Sequence, residues 1–360
     1  MKKTFLSELL VAERSQLSGN KLELNSGIYP VYGANGLVTY INFYEVDKPY
    51  LAVIKDGAGV GRVYKCPSKS SVLSTLQYLL PNSKIDLNYA YYWLSSLCLS
   101  KYAHGAAIPH IYYKDYKYES LLLPSLMVQK KIAERLDKVQ KLIAKQKGQI
   151  ATLDLLIKSR FLDMFGDPIS NPKKWPTRRM GDIFKITSGG TPSRKKSENF
   201  ENGTIPWVKT GDLNVPVLTH TVECLTEMGL QNSSAKLFPV GTVLLAMYGA
   251  TIGAVSILGI EACSNQACAA FLPVDTISPI YLYFFLFLQK QHFIKLGVGG
   301  AQPNISGEIL KREKILCPPV VLQTQFANFV QSVEQQKEVF SARLSRLEVL
   351  YKSLMQEYFG

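Results

Sequence analysis

Residues 121–166, LLLPSLMVQKKIAERLDKVQKLIAKQKGQIATLDLLIKSRFLDMFG, return as residues 315–360, ILCPPVVLQTQFANFVQSVEQQKEVFSARLSRLEVLYKSLMQEYFG. The copies align without a gap at a spacing of 194 (315 − 121). Eleven of their 46 positions are identical, among them Pro124/Pro318, Gln129/Gln323, Lys158/Lys352, Ser159/Ser353 and the closing Phe-Gly. A period this long exceeds any solenoid unit, which repeats every 20–50 residues or so. It reads as a globular domain and its following helix, duplicated.

Each copy carries a helical seam. Ile132, Leu136, Val139, Ile143, Ile150, Leu153, Ile157 and Met164 recur at alternating spacings of four and three, interrupted at Gln146 and Arg160. The second copy gives Phe326, Val330, Val333, Phe340, Leu344, Leu347, Tyr351, Leu354 and Tyr358, interrupted at Lys337. A sustained period of 3.5 is the coiled-coil signature. Proline opens both copies, where a missing N–H costs nothing, and Gly166 with Pro168 closes the first. Some forty residues make a rod of roughly 60 Å. The matching seams predict that the helices pair with each other. Because each follows its own globular segment, two-fold pseudo-symmetry makes the pairing antiparallel. Gln146 and Lys337 are then expected to face each other as a polar layer that fixes register.

The expected organisation is therefore α+β, with globular domains over 1–124 and 167–318 and spacer helices over 125–166 and 319–360. The first domain shows strands around a glycine turn, KPYLAVIKDGAGVGRVYK (48–65), and a buried helix, NYAYYWLSSL (88–97). GIYPVYGANGLVTY (27–40) reads as a loop between strands, and HGAAIPHIYYKDYKYESLLLP (104–124) as an aromatic loop leading into one. The second domain repeats the order with LLAMYGATIGAVSIL (244–258), PIYLYFFLFL (279–288) and GVGGAQPNISGEILKREKILCP (297–318).

The net charge is +13. Residues 1–166 hold 22 basic and 13 acidic side chains (+9), and residues 167–360 hold 19 and 15 (+4). Such an excess suits a polyanionic partner. The loop Ser188-Gly189-Gly190-Thr191-Pro192-Ser193, running into Arg194, Lys195 and Lys196, reads as a donor-rich loop that brings backbone N–H groups and cations to phosphates. The opening MKKTFLSELLVAERS lacks a secretory apolar run, and the longest such run, 280–288, is too short for a bilayer. A cytoplasmic protein without membrane contact is expected. Six cysteines without a C-x-x-C pair and four histidines argue against a structural metal. There is no G-x-x-x-x-G-K-[ST] loop, no methyltransferase cofactor motif, no nuclease-like carboxylate pair with lysine and no nucleophile triad. The chain reads as a binder without catalytic residues.

The duplicated plan, with YPVYGANG (29–36), SGGTPSR (188–194), IPWVKTGDL (205–213), SNQAC (264–268), GAQPNIS (300–306) and two Pro-x-x-x-x-Gln helix starts, resembles the specificity subunit of type I restriction-modification systems. The resemblance implies a non-catalytic reader of double-stranded DNA, with each domain reading one half of a split, asymmetric target. It also implies two methylation subunits and restriction-translocation subunits as partners. Those partners, not this chain, would carry S-adenosylmethionine, ATP and magnesium. Half-sites on one face of B-DNA lie about 34 Å apart per turn. From residue type and loop position, the candidate DNA contacts in the second domain are the cations Arg194, Lys195, Lys196 and Lys209, for phosphates or base edges, and the amides Gln302 and Asn304, suited to adenine. In the first domain they are Tyr32, Asn35, Lys55, Arg62 and His110. The alternative reading is a coiled-coil protein–protein scaffold without DNA recognition, which salt-insensitive partner binding would favour.

Overall fold

The structure is a computed structural model that describes residues 2–19, 22, 26–297 and 304–360. Its compact units cut across the sequence: Met1–Gly148 joins Ser341–Gly360, and Gln149–Phe340 forms the other. Two helices of 40 residues, Leu126–Phe165 and Val320–Phe359, each contribute to both units.

In the first unit an antiparallel sheet runs in the order Leu10–Arg14, Leu76–Pro81, Tyr50–Ile54, Val63–Cys66. Tyr50–Ile54 is buried at every residue, as expected for a central strand covered on both faces. A smaller sheet pairs Tyr29–Gly33 with Gly36–Ile41 and, in parallel, with Ser71–Val72. The stretch 27–40 is thus a hairpin rather than an inter-strand loop. Gly36, at φ +102°, closes the two-residue Ala34-Asn35 turn that the sequence reading spread over a longer segment. Helix Leu87–Ser96 buries Tyr89, Ala90, Tyr92, Trp93 and Leu94 in a core shared with Ala133, Leu136, Val139 and Leu354 of the long helices.

The second unit repeats the plan with a five-stranded sheet: Ile186–Ser188, Cys268–Phe271, Val243–Ala246, Val255–Leu258, Val217–Leu218. Glu223–Leu225, Ile205–Val208 and Cys263–Ser264 form its small sheet. Helix Pro279–Leu288 packs its aromatic side chains against Phe161, Phe165 and Phe326.

The repeat extends to individual hydrogen bonds. Lys55 N–H donates to Thr75 O (3.0 Å) and Ile111 N–H to Lys55 O (2.9 Å). In the second unit Met247 N–H donates to Ala267 O and Ile305 N–H to Met247 O, both at 2.9 Å. Likewise Leu73 N–H donates to Tyr32 O as Asn265 N–H does to Val208 O, both at 2.9 Å. The glycine turns coincide too. Gly61 (φ +85°) and Gly253 (φ +79°) adopt the left-handed backbone, and a Cβ on Gly61 would lie 2.5 Å from Ser100 N.

The Pro-x-x-x-x-Gln starts have a common structural role. Gln129, with no exposed surface, donates to Pro124 O (2.9 Å) and Lys84 O (3.0 Å) and accepts from Asp86 N (2.8 Å). Gln323, equally buried, donates to Pro318 O (2.9 Å) and Thr276 O (3.2 Å) and accepts from Ser278 N (2.8 Å). Asp86 and Ser278 stand at the N-cap positions of the two aromatic helices, and the Asp86 carboxylate also accepts from Asn88 N and Tyr89 N. Each glutamine therefore fastens an aromatic helix to the first turns of a long helix.

The long helices run antiparallel within each unit. In the first, Arg135 bonds Tyr358 (2.8 Å), Gln140 bonds Tyr351 (3.0 Å) and Lys147 pairs with Glu348 (2.9 Å). In the second, Lys337 pairs with Asp154 (2.7 Å) and Phe326 packs on Phe161 (5.5 Å). The seam residues Leu136, Val139, Leu153, Ile157 and Val333 are buried. Ile132, Ile143, Ile150, Phe340, Leu344, Leu347 and Tyr351 are half-buried.

Two seam expectations are corrected. Lys337 does not face Gln146; it holds Asp154 and Glu334 (2.9 Å), while Gln146 is buried in the first unit with its amide nitrogen unpaired among the described residues. Near its C-terminal end the first helix abandons the heptad. Phe161 and Phe165, not Met164, are fully buried, because this part of the helix packs on the 279–288 helix as well as on its partner rod.

Candidate nucleic-acid interface

In the first unit the residues after the central strand and those before the long helix converge on a cavity of about 470 Å³. Arg14, Lys55, His110, Tyr112, Lys114 and Lys117 are among its lining residues. His110 is held by backbone bonds to His104 in both directions (2.8 Å each), and its Nδ1 contacts the Asp56 carboxylate. The Tyr112 ring packs on the His110 ring (4.2 Å) and carries the Lys114 ammonium (5.1 Å). Cations interleaved with aromatic rings along a groove suit a phosphate backbone bordered by bases.

Of the five residues proposed here from sequence, Lys55 and His110 meet in this groove. Arg62 is exposed on the adjoining glycine turn, its guanidinium folded over Gly59. Asn35 is exposed at the tip of the 29–41 hairpin. Tyr32 packs against the small hydrophobic core around Tyr50 and Tyr78, and burial raises its hydroxyl pKa above the usual phenol value. None of these three lines the groove. Arg14, Lys114 and Lys117 were missed; the alternation Tyr112, Tyr113, Lys114, Tyr116, Lys117, Tyr118 was the signal for two of them.

In the second unit a chain of contacts crosses one surface. Gly190 N–H donates to Ser264 O (2.9 Å), and Gly190 O accepts from the Trp207 indole (3.1 Å). The Thr191 hydroxyl meets the Gln266 side chain. Arg194 stacks over Phe200 (4.6 Å) and Trp207 (5.0 Å) and pairs with Glu223 (2.7 Å), whose other oxygen holds the Lys209 ammonium. Hydrogen bonds from Lys209 first, then Arg194, hold the Glu223 carboxyl below its usual pKa.

This arrangement corrects the reading of the Ser-Gly-Gly loop. Gly189 and Gly190 are buried, and the Gly190 N–H is spent on Ser264. A Cβ on Gly189 would lie 1.8 Å from Ser264 O, so the glycines permit a close backbone approach rather than offering donors to phosphate. The cations that follow remain at the surface. Lys195 is exposed and has no ion pair among the described residues; Lys196 lies 3.8 Å from Glu198. Asn304 is exposed and stands opposite Tyr248 in an isolated bridge. Gln302 lies outside the described residues. Glu223, Phe200 and Gln266 were missed, being separated in sequence from the cations they organise.

Among the described residues no group of three His, Cys, Asp or Glu side chains could hold a metal ion, and no helix is long and apolar enough to cross a membrane.

A duplicated α+β chain with basic, aromatic surfaces on each unit and paired long helices defines a binding protein. The sequence profile of the type I restriction modification DNA specificity domain matches residues 1–155 and 172–349, and the chain belongs to that family. It is 25% identical over 294 residues to the Escherichia coli EcoR124I/EcoR124II specificity subunit, covering 77% of this chain and 70% of the relative. It is 24% identical over 335 residues to the Methanocaldococcus jannaschii MjaVIII specificity subunit, covering 86% and 78%. The crystal structure of the S subunit from M. genitalium superposes with a TM-score of 0.66 at 18% identity, covering 100% of this chain and 96% of that one.

Proposed function

We propose that this chain is the DNA-reading subunit of a type I restriction-modification complex. Each unit recognises one half of a split, asymmetric target, and the assembled subunit directs methylation and restriction partners to it. The observation that carries this reading is the repeated hydrogen-bond frame bearing different side chains at its solvent-accessible positions: half-buried Asp56 and His110 in one unit, exposed Tyr248 and Asn304 in the other. A duplicated scaffold with unlike surfaces suits two unlike half-sites. The basic excess of +13 supplies the sequence-independent attraction to phosphates. Family membership supports the assembly role.

The chemistry belongs to the partners in this reading. Two methylation subunits would bring S-adenosylmethionine, and the restriction-translocation subunits ATP and magnesium. The base to be methylated would leave the stack for the methylation subunit's pocket. This chain's contribution is to hold DNA in register by phosphate contacts and to select sequence by base-edge contacts.

The test is co-expression with the cognate methylation subunit in a methylation-free host, followed by genome-wide mapping of modified bases by single-molecule sequencing. One split motif, methylated on both strands, is expected. No new methylation from an assembled complex that binds the methyl donor would overturn the reading in favour of a scaffold.

A further inference from the structure

The frame shared by the two units singles out one pair of positions in each. Just beyond the bonds that join Ile111 to Lys55 and Ile305 to Met247 stands an isolated antiparallel bridge. Asp56 faces His110 in the first unit, and Tyr248 faces Asn304 in the second. Directly opposed residues in such a bridge project from the same face with Cβ atoms about 4.5–5.5 Å apart. Each bridge therefore presents two adjacent side chains on backbone anchored to a central strand. None of the four belongs to a core: Asn304 is exposed, Tyr248 is 44% exposed, and the His110 and Asp56 side chains keep 28% and 30% of their surface.

We propose that these bridge pairs are the base selectors of the two half-sites, Asp56–His110 for one and Tyr248–Asn304 for the other. The inference rests on the DNA-reading function above. The duplication has kept the backbone and replaced the chemistry. One unit carries a carboxylate and an imidazole, the other a phenol and an amide. A constant platform with exchanged side chains is what two different half-sites require. In the first unit His110 lines the groove with Arg14, Lys55, Lys114 and Lys117, so phosphates held by those cations would bring a base edge to it.

The chemistry of each pair limits what it can read. A carboxylate only accepts, so Asp56 accepts a hydrogen bond from His110 Nδ1–H and fixes the direction of the ring. The ring's other nitrogen, Nε2, is thereby directed to a base edge. The Asn304 amide carries a donor and an acceptor, the pattern that matches adenine at N6 and N7. Asp56 and Tyr248 act as positioning residues, the first by its hydrogen bond and the second as a ring wall beside the amide.

The test uses the full chain assembled with its methylation subunit and maps the methylated motif for His110→Ala, Asp56→Ala, Asn304→Ala and the His110/Asp56 double variant. His110→Ala should relax one base position in one half-site, losing discrimination by about tenfold, and leave the other half-site and the gap unchanged. Asn304→Ala should do the same in the opposite half-site. Asp56→Ala should relax the same position as His110→Ala, and the double variant should relax it no further. Should an alanine variant not assemble, His110→Gln and Asn304→Asp retain polar tips and should change the preferred base instead. A sharp, unaltered motif in these variants overturns the proposal, as does relaxation of both half-sites by either one. A wild-type complex that methylates no split motif overturns the DNA-reading function itself.

Discussion

Glu223 is one carboxylate serving two cations. Arg194 and Lys209 lie on its separate oxygens, and Arg194 is further confined by Phe200 and Trp207. Lys195, next to Arg194 in sequence, has no such partner among the described residues. The two kinds of cation should respond oppositely to mutation. Lys195→Ala removes an unengaged charge, so DNA binding should weaken for all sequences and the log–log salt slope should fall by about 0.9 if it neutralises one phosphate. Glu223→Gln releases two engaged charges, so binding should strengthen severalfold at low salt and the slope should steepen. Fluorescence anisotropy of the assembled complex across a potassium chloride series reads both. The sign with pH follows from the lowered Glu223 pKa. The contribution of this ion pair to stability is complete above the ordinary carboxylate range and is lost as pH falls through the lowered value. Between pH 6 and 8 the Glu223→Gln effect should therefore stay constant.

At the scale of elements, buried glutamines play opposite parts. Gln129 and Gln323 satisfy three backbone groups each, whereas the Gln146 amide nitrogen has no partner among the described residues. Gln129→Leu or Gln323→Leu would strand two carbonyls and one helix-capping N–H. Each should cost about 3 kcal/mol, at roughly 1 kcal/mol per group. Gln146→Leu continues the apolar seam and should stabilise the chain by about 1 kcal/mol. Thermal and urea denaturation of the three variants checks the contrast; a destabilised Gln146→Leu would mean that the amide has a partner that matters. The seam and the repeated glutamine were legible in the sequence because period and identity are local signals. The switch to Phe161 and Phe165 was not, because it is set by the aromatic helix at 279–288, more than a hundred residues away. Nor was the groove: Arg14, Lys55 and His110 are brought together only by strand order, and the closed Ser-Gly-Gly loop depends on Ser264 and Trp207. Lys55 and His110 were found through their residue types and loop positions, which say nothing of what stands beside them.

At the scale of the molecule, the duplication is not two beads on a string. The first unit is completed by the last twenty residues of the chain, Ser341–Gly360, while Gln149–Phe340 is continuous. Leu354 is buried in the core of the first unit, with Tyr351, Met355, Tyr358 and Phe359 packed around it, and Phe359 lies 5.1 Å from Tyr89. At about 1.5–3 kcal/mol for each fully buried side chain, and less for the half-buried ones, their removal would cost on the order of 5–10 kcal/mol. That is comparable to the whole stability of a typical domain. Truncation after Phe340 should therefore unfold the N-terminal half of the chain while sparing the half nearer the cut. Hydrogen–deuterium exchange separates the outcomes. Protection should be lost in Tyr50–Ile54 and Leu76–Pro81 and kept in Val243–Ala246 and Cys268–Phe271. Loss in all four strands would mean that the units do not fold independently. Retention in all four would mean that the terminal helix decorates the first unit without building it. The expected asymmetry follows from antiparallel pairing, because a helix that starts in one unit must end in the other, and the chain's last turns are thereby committed to the core that its first residues began.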